Sequence, residues 1–129
     1  MTDADAADLG RAFRRVRYDF HASFFDALSQ RHPAAAPLAG AFADIWTRCR
    51  QWATEADLND HSPTPMGRTP DGLADEMQGW SENTQAAMLA AVKAVIAAEA
   101  DGDHRRGRTQ LSARLRRTLP LLDDLIDSV

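Results

Sequence analysis

Leu38, Phe42, Ile45, Cys49, Trp52 and Ala56 recur at alternating steps of four and three residues, an unbroken apolar seam along one side of an α-helix. A strand would alternate with a period of two, so this stretch is helical. A seam of this kind also needs a second apolar surface to cover it. The same spacing recurs elsewhere. Leu9, Phe13, Val16, Phe20, Phe24 and Ala27 define a first helix from about Asp3 to Arg31, with Thr2 and Asp5 placed as a capping pair and Pro33 as its stop. The second helix begins near Pro33 or Pro37, since proline is tolerated in a first turn.

Pro63, Pro65, Gly67 and neighbouring polar residues mark a long loop at about 58–69. Thr69-Pro70-Asp71 then reads as a cap followed by a first-turn proline, opening a third helix that extends to about Asp101. Its stripe is Leu73, Met77, Trp80, Thr84, Met88, Ala91 and Val95, widened by Leu89, Val92 and Ile96, and Gly79 can weaken its middle. Asp101-Gly102-Asp103 reads as a stop and restart, with Gly102 taking the left-handed conformation. The fourth helix carries Leu111, Leu115, Leu119, Leu122, Ile126 and Val129, and Pro120 predicts a kink or restart around Thr118. Alternating β-branched runs and Asn-Gly turns are absent. The expected fold is all-α: a single-domain antiparallel bundle of about four helices over residues 1–129, the last kinked near Pro120.

With 129 residues the chain suits one ordinary domain. No apolar run approaches the ~20 residues of a membrane span, and the acidic, alanine-rich start from Met1 to Asp8 does not resemble a secretion signal. A cytoplasmic location is the expectation. The net charge of −4 conceals an asymmetry. Asp71, Asp75, Glu76, Glu82, Glu99 and Asp101 face only Lys93 in the third helix, whereas Arg105, Arg106, Arg108, Arg114, Arg116 and Arg117 crowd the segment after Asp103. Apart from Lys93 every basic residue is arginine, which a GC-rich genome produces without physical cause and which planar, bidentate anion contacts also favour.

Motifs for catalysis are missing: no phosphate-cradling glycine loop, no Gly-x-Ser-x-Gly and no His-Glu-x-x-His. His21, His32, His61 and His104 lack the glutamate three residues earlier that di-iron bundles use, and the Asp101–His104 pair straddles the expected Gly102 turn. The lone Cys49 sits in the apolar seam as a small core residue. No enzymatic activity, cofactor or metal is expected. Asp123, Asp124 and Asp127 read as a solvated helix face.

Candidate contacts lie off the core stripes. Advancing about 100° per residue along one continuous first helix puts Arg11, Arg14, Arg15, Tyr18 and Phe25 opposite the Leu9–Phe13–Phe20 stripe, with His21 beside them. Arginines interleaved with aromatics suit nucleic acid and equally a protein interface; a loop folding over this face is the plain alternative. On the fourth segment, Arg105 with Arg116 and Arg106 with Arg117 repeat at three helical turns, about 16 Å, a stripe able to follow phosphates or to pair with the acidic third helix. Small residues on the second helix (Ala36, Gly40, Ala43, Thr47) and third helix (Ala86, Ala90, Ala97), with Trp46 off the stripe, favour self-association or membership of an assembly.

In size, all-helical design, absent active-site motif and scattered arginine faces, the chain resembles the small helical subunit of multisubunit CRISPR effector complexes. The resemblance spans the whole chain as architecture and rests on no diagnostic motif. It implies several copies stacked along larger protein subunits, with Arg11, Arg14, Arg15, Arg105, Arg106, Arg116 and Arg117 holding RNA or DNA through phosphates without reading sequence. The alternative is a protein-interaction module, such as an adaptor, an immunity or antitoxin-like protein or an inhibitor, with the Tyr18–Phe25 face as its hot spot.

Overall fold

The computed structural model describes residues 1–52 and 65–129, the side chains of Arg15, Trp52 and Pro65 excepted. The described residues are helical, without strand, but the expected four helices are six. They are α1 (Asp3–Arg11), α2 (Tyr18–Leu28), α3 (Ala36–Trp52), α4 (Pro70–Met77), α5 (Glu82–Arg105) and α6 (Thr109–Ser128). Most of the loop expected at 58–69 lies outside the described residues. Among the described residues no helix is long and apolar enough to cross a membrane.

The expected first helix is two. After α1 the chain tightens into a 3-10 turn, Ala12–Arg15, and Val16 and Arg17 are extended (ψ 138 and 148) before α2 begins. Those two residues reset the helical phase. With the phase reset, α2 buries Phe20 and Phe24 and also His21, Phe25 and Leu28. Both of its sides are covered, because it packs on α3 and α4. At the other end, the Thr2 hydroxyl accepts from the Asp5 N–H at 3.1 Å, the cap expected there.

The expected third helix is also divided. Thr69 caps α4, accepting from the Gly72 N–H at 3.0 Å, with Pro70 in the first turn. Gln78, Gly79 and Trp80 form a turn, and Ser81 caps α5 by accepting from the Thr84 N–H at 3.2 Å. The helix then runs straight through Asp101-Gly102-Asp103, where a stop was expected. The left-handed residue is Gly107 instead, at φ 82, and it turns the chain into α6. No restart occurs at Thr118, because α6 is unbroken through Pro120. Pro120 and Arg116, whose carbonyl the ring removes from the hydrogen-bond ladder, are both exposed, so water can satisfy that oxygen.

Pairing directions are mixed rather than antiparallel throughout. Arg116–Asp101 and Lys93–Asp123 contacts run oppositely along α5 and α6, which are antiparallel. Phe42 meets His21 and Phe25 while Trp46 meets Arg17, so α2 and α3 are antiparallel too. By contrast, Asp3 meets Thr84 and Tyr18 meets Glu99, so the chain from α1 into α2 runs parallel to α5. Gly10 lies between these contacts, against the Met88 carbonyl and Ala91.

The core is aromatic at its centre. Phe13 packs edge-on to Phe20 and Phe24, with centroids 5.7 and 5.6 Å away, and Phe25 stacks on Phe42 at 5.5 Å. Around them Leu9, Leu28, Leu38, Ile45, Leu73, Met77, Met88 and Leu89 are fully buried. Full burial of each such side chain contributes about 1.5–3 kcal/mol.

Candidate functional site

Helix α5 carries an apolar stripe (Met88, Val92, Val95, Ile96) that continues at the same spacing onto two acids, Glu99 and Asp103. Both carboxyl groups are thereby carried toward the interior. Tyr18, at the start of α2, turns its hydroxyl inward and donates to Glu99 Oε2 at 2.6 Å. Burial holds the Glu99 carboxyl up at about 8, the neighbouring Asp103 adding to this while the Tyr18 hydrogen bond and the Arg14 charge oppose it. Glu99 is therefore mainly in its acid form at neutral pH. Burial likewise pushes Tyr18 well above the usual phenol range, with the Glu99 charge acting in the same direction.

Asp103 sits one turn further along, 7% exposed. Its Oδ1 is 4.0 Å from Arg106 Nη1 and 3.8 Å from Arg108 Nη1, long contacts to two outward-reaching guanidiniums. Burial raises Asp103, and Arg108 and Arg106 counter that. Cys49 on α3 is half-buried beside this group, its thiol raised to about 11 by burial and then by Asp103, with Arg108 opposing. Such a thiol is a weak nucleophile at neutral pH. His21 is fully buried, its Nδ1 3.1 Å from the Arg17 carbonyl and its ring against Phe13 and Phe42. Among the described residues no grouping of His, Cys, Asp and Glu can hold a metal ion.

The outward aromatic ladder is corrected. Phe25 is 0% exposed within the core, and Tyr18 is packed with its hydroxyl on Glu99. Phe13 and Phe20 are buried as expected, so the aromatics of α2 all serve the interior. Arg11 is exposed and paired with Asp8. Arg14 is exposed and near enough to Glu99 for its charge to favour the carboxylate. The side chain of Arg15 lies outside the described residues. Trp46, expected off the stripe, is half-buried beneath the Arg17 guanidinium, 5.1 Å from its ring centroid, while Asp19 grips the same guanidinium.

The eleven-residue arginine stripe is corrected as well. Arg105 ends α5, Arg106 caps it, and Arg116 and Arg117 belong to α6, so the pairs do not share one helix. The turn at Gly107 lays α6 back along α5 instead. Arg116 reaches Asp101 on α5 at 2.9 Å, one turn before Arg105. Part of the basic charge is therefore spent within the molecule: Arg116 on Asp101, Arg114 on Asp44, and Arg106 and Arg108 loosely on Asp103. Among the described residues Arg105 and Arg117 are exposed without an ion-pair partner. Asp101 and His104, expected on two sides of a turn, both lie on α5.

Sequence reasoning missed Glu99, Asp103 and Arg108 as neighbours. The signal was present, since the four- and three-residue spacing of the α5 stripe points onto both acids once the helix is carried past Gly102. The result is an acid pair, Asp103 buried beneath Arg106 and Arg108 of the α5–α6 turn and Glu99 half-buried with the Arg14 charge acting on it from the α1–α2 connection. No protein-family model, curated protein or solved structure matches the chain.

Proposed function

We propose that the chain is a non-enzymatic helical subunit of a larger assembly that holds a nucleic-acid backbone at the α5–α6 turn. The observation that carries this reading is the gathering of exposed Arg105, Arg106 and Arg108 at the turn around Gly107, with Arg116 and Arg117 exposed further along the returning helix α6. Guanidinium groups match phosphate oxygens bidentately and read no bases. The net charge of −4 does not oppose a local site, because exposed charges beyond a Debye length of about 8 Å are largely screened at physiological salt. A CRISPR-effector-like small subunit is the assembly type this reading favours, with other protein subunits supplying the remaining contacts.

Fluorescence anisotropy with labelled single-stranded oligothymidylate and duplex DNA across a salt series tests it. Each phosphate neutralised contributes a slope of about −0.7 (single strand) or −0.9 (duplex) in log K against log salt. Arg105→Glu/Arg106→Glu and Arg116→Glu/Arg117→Glu variants are expected to weaken binding at least tenfold at low salt and to flatten that slope. Absence of binding by the parent protein at low salt, or unchanged binding by both variants, would exclude a direct contact at this turn.

The second reading, a protein-interaction module, loses the Tyr18–Phe25 hot spot because Phe25 is fully buried and Tyr18 is half-buried with its hydroxyl on Glu99. It retains one observation. Ala36, Gly40, Ala43 and Thr47 form an exposed small-residue side of α3, and a Cβ placed on Gly40 would meet nothing within 4 Å. Such a side admits close approach of another helix. Light scattering of Gly40→Glu against the parent protein separates self-association through α3 from a monomer.

A further inference from the structure

On the premise that the α5–α6 turn binds phosphate, we propose that Asp103 gates it: the carboxylate competes with phosphate for Arg106 and Arg108, so binding takes up a proton at Asp103 and tightens as pH falls. The geometry is that of a competitor set beneath the site. The Asp103 side chain is 10% exposed, whereas the Arg106 and Arg108 side chains are 68% and 55% exposed. Both guanidiniums are thus within reach of solvent ligands while leaning on one buried acid. At 3.8 and 4.0 Å these contacts are looser than a bidentate pair, which closes to about 2.7–2.9 Å. A phosphate bound at the rim can draw both guanidiniums outward. An ionised Asp103 is then left buried without its partners, an expensive state that a proton relieves.

Among the described residues, the charged and titratable groups facing the acid pair come from each surrounding element. Tyr18 of α2 hydrogen-bonds Glu99, Arg14 approaches from the α1–α2 connection, and Cys49 faces both acids from α3. Glu99 and Asp103 act on each other along α5, and Arg106 and Arg108 close the group from the turn. Of these, the arginines favour ionisation of the pair, and Glu99 disfavours ionisation of Asp103 whenever it is itself charged. Burial already raises Asp103 against both arginines, so removing the arginines moves its titration further toward neutrality. By linkage, a ligand that raises proton affinity binds more tightly where protons are plentiful. His104 is exposed on the same helix end, so the test includes its removal.

Anisotropy with labelled single-stranded oligothymidylate at fixed ionic strength, at about pH 5.5 and about pH 8.5, decides the matter. In a His104→Gln background the affinity is expected to be roughly three- to tenfold higher at the lower pH, as freeing one or two screened guanidiniums gives. Asp103→Asn should bind with the tighter affinity at both pH values. Arg106→Gln/Arg108→Gln, with its fold checked by circular dichroism because Asp103 loses both partners, should bind weakly with no pH response. A pH response that persists in Asp103→Asn, or that vanishes with His104→Gln alone, would overturn the gate. Binding that needs Arg105 and Arg117 but ignores pH would overturn the gate and leave the phosphate site standing; no binding by the parent protein would remove both.

Discussion

The Tyr18 hydroxyl and the Glu99 carboxyl share a 2.6 Å hydrogen bond across the α2–α5 contact, where burial holds Glu99 at about 8. In an unfolded chain the same carboxyl titrates near its ordinary value of 4.5. Between those values the folded state binds more protons than the unfolded state, so this group's contribution to stability falls as pH rises and levels off above about 8. Glu99→Gln keeps a hydrogen-bonding partner for Tyr18 without the charge. Urea unfolding at a series of pH values should show the variant gaining on the parent protein above about pH 5, with a lead of up to about 5 kcal/mol at the alkaline end. Parallel pH profiles would show that Glu99 titrates normally.

Gly10 lets α1 lie close against α5. A Cβ there would meet the Met88 carbonyl and come within 2.7 Å of the Ala91 Cβ, and neither can swing away as the end of a long side chain can. Gly10→Ala should cost about 1–3 kcal/mol as α1 is pushed off α5, although alanine is the better helix former. Thermal unfolding checks this; a rise in Tm would mean that α1 and α5 stand further apart.

Gly102 and Gly107 should respond oppositely to alanine. Gly102 lies within α5, and its added Cβ would meet the Arg106 guanidinium at 3.1 Å, an exposed group free to shift. Gly102→Ala should therefore be neutral or stabilise by up to about 1 kcal/mol. Gly107 has φ 82 with open space around it, and Gly107→Ala should cost about 1–2 kcal/mol from backbone strain alone. Denaturation midpoints of the two variants should move in opposite directions, or only Gly107→Ala should move.

Phe25→Ala separates a core role from a surface role. Stacked on Phe42 and packed against Phe24 in full burial, the ring should cost about 3–5 kcal/mol when truncated. Chemical denaturation measures it, and a loss below about 1 kcal/mol would return the ring to the surface.

Much of the helix content was legible because it rests on local rules. The Leu38–Phe42–Ile45 seam is buried, Thr2 and Thr69 cap as their spacing requires, and the weak point at Gly79 falls in a real break. The phase change at Val16 and Arg17 was not legible. Neither residue is a helix breaker, and the break is favoured by what α2 then buries on both sides, His21 and Phe25 as well as Phe20 and Phe24. Everything inferred about an outer aromatic ladder depended on one uninterrupted helix and fell with it. At Gly102 the local signal was misleading for a related reason. A glycine between two aspartates suits a turn, yet continuing the helix carries Asp103 onto the inward stripe and leaves the reversal to Gly107. The basic cluster was visible in composition, but its layout across a turn needed the antiparallel return of α6.

The hydrogen bonds from Thr84 to Asp3 and from Tyr18 to Glu99 each join residues 81 positions apart. During synthesis at about 5–20 residues per second, the amino-terminal segment therefore leaves the ribosome roughly 4–16 seconds before the surface it docks against. Until then the faces of Leu9 and Phe13 meant for α5 have no native cover, and the opening third of the polypeptide must wait, exposed to mispairing or to a chaperone, for its long-range partner to arrive.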